Sequence, residues 1–123
     1  MTSSPTDTIS FVIVVNGIEC EGRRQLCERF PNAGGGARPG FDPPIPYSTI
    51  RCELHEIEAF LNWITTNLAG TYSSIHITVG IYAPLSWYNF SVPQQVLMSV
   101  QEYKTELMIS FASAAGGSHA KAA

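Results

Sequence analysis

Charge is scarce in this sequence. Asp, Glu, Lys and Arg together make up 14% of 123 residues, so much of a folded surface must come from Ser, Thr, Asn, Gln and Gly. Neither sign dominates: seven basic and ten acidic side chains leave a net charge of -3. Nucleic-acid binding through phosphate contacts calls for a basic stripe, and the sequence has none. The acidic residues are too sparse to imitate a polyanion. Long hydrophobic runs are missing as well. The longest are strand-sized, far below the roughly 20 apolar residues of a membrane-spanning helix. Neither nucleic acid nor a membrane is therefore expected as a partner. Residues 1–7 are polar and lack the basic start and apolar core of a signal peptide. The cysteines are Cys20, Cys27 and Cys52. Their odd number fits a reducing compartment better than a disulfide framework. The expectation is a cytoplasmic protein whose thiols pack as small apolar groups.

Catalytic signatures are also lacking. Gly34, Gly35 and Gly36 invite a phosphate-cradle reading, but no Gly-Lys-Ser/Thr follows and no helix pattern opens after them. His55-Glu56 resembles the start of a zincin helix, yet Ala59 stands where the second histidine is needed. Cys52 and His55 have the spacing of half a zinc site. Cys20 and Cys27 are not spaced as a knuckle to complete it, so no metal or cofactor is expected. A Cys52 nucleophile with His55 or His76 as base lacks a local signature, and Cys52 alternates into the expected core. His76 reads as a residue on the polar side of its strand. No serine elbow, dinucleotide fingerprint or carboxylate pair is present. The absence of such motifs favours a binding role over an enzymatic one.

What the sequence does have is hydrophobic periodicity, with 45% apolar residues over a length suited to one domain. Ser74 to Tyr82 alternates strictly, with Ile75, Ile77, Val79 and Ile81 on one side, which predicts a half-buried strand. Thr8 to Val15 predicts another. Val12 and Val14 make its second side partly apolar, so it is expected to be central and covered on both faces at least in part. Tyr47 to Leu54 and Thr105 to Ala112 complete four strands, the last with Leu107, Ile109 and Phe111 inward. Glu56 to Leu68 is the clearest helix, with a stripe of Ile57, Phe60, Leu61, Ile64 and Leu68. Trp63 is expected beside that stripe, half-buried at a sheet edge. Glu19 to Phe30 predicts a shorter helix facing inward through Leu26, Cys27 and Phe30, with Cys20 near that face and Gly22 weakening its start. A third helix opens after Ser91, which with Gln94 forms a capping-box pattern, and Pro93 falls in the first turn. Pro31 to Pro46, rich in Gly and Pro, reads as a long surface loop. Residues 1–7 and 113–123 read as disordered tails, leaving 8–112 as a single domain. The element order is strand, helix, strand, helix, strand, helix, strand. It predicts a two-layer α+β sandwich with helices on one side of a four-stranded sheet, whose strand order cannot be read.

The second half also carries a resemblance. A strand and a helix bearing Leu61, Trp63 and Ile64 are followed by the strand Ile75 to Tyr82. Phe90-Ser91-Val92-Pro93 then opens a helix, and Leu107 to Phe111 closes the chain's ordered part. This pattern, over residues 47 to 112, resembles the bacterial domain-of-unknown-function family 4279. The Gly/Pro-rich segment of the first half departs from it. The resemblance implies a bacterial, cytosolic, stand-alone domain and assigns no activity or site residues.

The expected function is protein–protein binding, with an immunity or inhibitor role as its most concrete form. Trp87 and Tyr88 are the expected anchors, on an aromatic connection completed by Phe90, because amphipathic aromatics on a loop serve as binding residues. Arg38 is added as a group able to meet an anion or an acidic partner. Two alternatives stand beside this reading. One is a small-molecule enzyme or sensor built on the Gly/Pro-rich segment with Arg38, His55 and Glu56. The other is a structural homodimer.

Overall fold

The computed structural model describes residues 8–83 and 91–113. Strand β1 (Thr8–Asn16) lies at the centre of a mixed sheet. It pairs antiparallel with β3 (Ile45–Cys52) on one side and β4 (Ser74–Ala83) on the other. Outside β3 runs β2 (Gly34–Arg38), also antiparallel. Outside β4 runs β5 (Glu106–Ser113), which is parallel to it. The order across the sheet is β2-β3-β1-β4-β5. Helix α1 (Cys20–Arg29) follows β1, and α2 (Ile57–Asn67) follows β3 after a 3-10 turn at Leu54–Glu56. Helix α3 (Gln94–Tyr103) lies between β4 and β5 in sequence. Parallel neighbours require such a crossover, whereas the antiparallel pairs do not.

Alternation decides which face carries the core. Register places Phe11 beside Cys52 and Val79, Ile13 beside Ile50 and Ile77, and Val15 beside Ser48 and Ile75. The helices lay Leu26 and Phe30, then Ile57, Leu61, Ile64 and Leu68, then Val96 onto that face, all in one cluster. Each large aliphatic side chain so buried contributes about 1.5–3 kcal/mol. The start of α2 is secured locally. The Glu53 backbone N–H donates to the Glu56 carboxylate at 2.8 Å, completing a capping box. Trp63 packs edge-on against Phe30 at 5.5 Å, at the junction of α1 and α2 rather than at a sheet edge.

The fold is α+β as expected, but with five strands among the described residues, and the Gly/Pro-rich segment is where the expectation fails. Gly34 to Arg38 is a strand, not part of a loop. Consecutive glycines carry no hydrophobic period, so no pattern announces it. Its position is set from outside. Arg23 on α1 donates through Nη2 to the carbonyl of Gly36 at 3.1 Å and of Tyr47 at 2.7 Å, clasping β2 and β3 together. A Cβ at Gly35 would stand 2.5 Å from the Tyr47 carbonyl oxygen, so only glycine permits this approach. Gly22 has a comparable role. It is buried, and a Cβ there would collide with the Thr71 hydroxyl, so the residue that weakens α1 intrinsically lets the helix close on the turn before β4.

Other expectations are corrected. Cys20 and Cys27 are exposed and only Cys52 is buried, because the inward face of α1 runs through Gly22 and Leu26 and Cys27 turns away from it. β1 is central, but among the described residues helices cover one of its faces only. Val12 and Val14 lie on the other, where Val14 is buried among cross-strand neighbours Thr49 and His76. Helix α3 begins at Gln94 with Pro93 as its N-cap, not at Ser91. Val92, just before that cap, packs against the core. On β5, Leu107 packs inward as expected, while Ile109 and Phe111 are exposed. They sit on the core side of an edge strand, with no further strand beyond it among the described residues.

Candidate functional site

Among the described residues, those singled out from the sequence do not converge. Trp87, Tyr88 and Phe90 lie outside the described residues. Arg38 ends β2 on the sheet face away from the helices. Glu56 lines a hollow of about 500 Å³ with Pro31, Asn32, Ala33, Arg51 and Phe60, but neither Arg38 nor His55 reaches it. Cys52 is buried at the far end of β3. Burial, reinforced by the carboxylates of Glu56 and Glu53, pushes its thiol up to about 12. Such a thiol stays neutral near pH 7 and makes a poor nucleophile. His76 stands on the opposite face of the sheet. Among the described residues no group of three or more His, Cys, Asp or Glu is arranged to hold a metal ion.

Two features were missed from the sequence. The first is a polar relay on the helix-free face. Arg38 donates through Nε and Nη2 to the Asn16 side-chain oxygen at 3.2 and 3.0 Å. That contact orients the Asn16 amide, leaving its NH2 as the donor to His76 Nδ1 at 3.1 Å. The imidazole must then be neutral with its proton on Nε2. Its burial, at 5% exposure, acts the same way. Desolvation, aided by the Arg38 charge and opposed by Glu106, lowers the His76 pKa. The relay borders a hollow of about 360 Å³ that runs from Arg38 past Ser74 to Glu106 and Met108. Asn16 and His76 come together because they are diagonal neighbours on β1 and β4, a relation only the register reveals.

The second feature is the β5 edge. This strand keeps an unbroken register with β4 from Glu106 to Ser113, with no bulge, no proline and a single charge. Natural sheet edges are blunted by short strands, lysine, proline or bulges. The β2 edge follows that rule: five residues, three of them glycine, ending at Arg38-Pro39. The β5 edge does not. Ile109 and Phe111 are 54% and 45% exposed on the helix side, and Met108 is 52% exposed on the other. Leu97 of α3, 47% exposed, adds to the helix side. At 3.6 residues per turn it lies roughly 200° from Gln95 and Ser99, which border α2 through Glu58. It therefore points away from α2. The arrangement offers a row of backbone donors and acceptors flanked by apolar side chains on both faces. No protein-family model matches the sequence, and neither the curated proteins nor the solved structures contain a match to it.

Proposed function

We propose that this chain acts by binding a protein partner, without catalysis, and that it does so by accepting a strand at the β5 edge. One observation carries the reading: an eight-residue, unbulged edge strand with half-exposed apolar residues on both faces. Strand addition draws affinity from main-chain hydrogen bonds and specificity from alternate side chains, and β5 offers both. An inhibitor or immunity role is the narrower form of the same reading, since such proteins act by occupying a partner's surface. Affinity capture with the full chain and with Phe111→Arg tests it. A partner held by the wild type should be lost from the variant, by about 2 kcal/mol or more if Phe111 is an anchor. A partner held equally by both would refute binding at this edge.

A further inference from the structure

Resting on the reading of β5 as a binding edge, we infer that its partner is a second copy of this chain, paired antiparallel through β5 about a two-fold axis at Ile109. Such an axis stands perpendicular to the sheet, so each residue meets one on the same face of the other copy. Residue numbers of facing pairs then sum to an even value. Three registers bring Ile109 into the pairing near the middle of the strand. Only one covers every apolar helix-side residue of β5 with an apolar partner. In it Leu107 faces Phe111 of the second copy, Ile109 faces itself, and Phe111 faces Leu107. Shifting the axis to Ser110 sets Leu107 against Ser113, and shifting it to Met108 sets Phe111 against Thr105. The stripe Leu107, Ile109, Phe111 is thus self-complementary at this one register.

The polar face agrees with it. Glu106, the strand's single charge, faces Ala112 of the other copy, so no like charges meet, and Met108 faces Ser110. Opposed like charges are what an edge uses to repel its own kind, and β5 has none at this register. The two five-stranded sheets would join into one sheet of ten, with a β2 edge at either end. Those outer edges are the glycine-rich ones already blunted, so pairing closes the assembly at two copies rather than propagating it.

The test uses the full chain with Cys20→Ser and Cys27→Ser, which removes the two exposed thiols. Light scattering behind size exclusion should give twice the chain mass of 13.4 kDa. Adding Ile109→Lys, which sets two ammonium groups face to face on the axis, should return the monomer with an unchanged circular-dichroism spectrum. Adding Ile109→Cys instead should give a covalent dimer on mild oxidation, because facing Cα atoms of an antiparallel pair lie about 4.5–5.5 Å apart, within disulfide reach. Met108→Cys should not cross-link, since each copy's Met108 faces Ser110. A monomer at all concentrations overturns the inference. So does a dimer that survives Ile109→Lys or that cross-links through Met108→Cys. In either case the binding reading stands or falls separately, on whether Phe111→Arg loses a captured partner.

Discussion

His76 receives a hydrogen bond from an amide that an arginine holds in place, and that arrangement suits only its neutral form. Protonating Nδ1 would set it donor against donor with Asn16. Because the folded-state pKa is lowered, the unfolded chain binds the proton more readily. The His76 contribution to stability is therefore complete above the ordinary value of 6.5 and is lost as the pH falls through it towards the lowered folded value. The melting temperature should drop between about pH 7.5 and pH 5. His76→Asn, whose side-chain oxygen can accept from Asn16, should flatten that slope, and an unchanged slope would remove His76 as its cause. The cysteines make a second residue-scale case. Cys20 and Cys27 on the exposed side of α1 should react with a thiol reagent at once. Cys52, buried and with its thiol held neutral, should react only on unfolding, so titration of the native chain should count two thiols. A count of three would place Cys52 outside the core.

At the scale of the element, ends and clasps matter more than interiors. Helix α3 stops at Lys104, which takes a left-handed conformation at φ 55°, while Thr105 N–H donates to the Val100 carbonyl at 3.0 Å. Glycine adopts that conformation without a Cβ penalty. Lys104→Gly should raise stability by about 0.5–1 kcal/mol, and a denaturation midpoint that falls instead would refute the strain. Strand β2 depends on a clasp. Its glycines contribute little packing, and Arg23 ties it to β3 through two carbonyls. Arg23→Ala should speed amide exchange across residues 34–38 by at least tenfold, about 1.4 kcal/mol of lost protection, while α2 and β4 keep theirs. Loss of protection throughout would show β2 to be part of the cooperative core.

At the scale of the whole molecule, the helices among the described residues lie on one sheet face, leaving the other face largely to polar side chains and the β5 edge unblunted. Ser10, Val12, Asn16, Tyr47, Thr49 and Thr78 populate that second face at intermediate exposure. The layer arrangement was legible from strands that alternate and helices with a single stripe. The β1, β4 and α2 assignments rest on Ile13, Val15, Ile75, Ile77, Leu61 and Ile64, whose spacing admits one reading each. The candidate site was not legible. Strand β5 reads as inward-facing at Ile109 and Phe111 because alternation reports a face, and a face at the sheet's edge is exposed even on the core side. Arg38, Asn16 and His76 are too far apart in sequence for spacing to join them.

Local periodicity thus determined which segments are helices or strands and which side of each is apolar, because burial acts residue by residue on a period of 3.6 or 2. Composition determined the lack of a basic stripe in the sequence, and among the described residues no helix is long and apolar enough to cross a membrane. Tertiary structure alone decided the order of the strands, the existence of β2, and the meeting of Arg38, Asn16 and His76. It also made β5 the unprotected edge. These follow from pairing between distant backbones. Hydrogen bonds in a sheet join residues without regard to their distance along the chain, and a glycine-rich strand pairs as well as an apolar one when its neighbours hold it there.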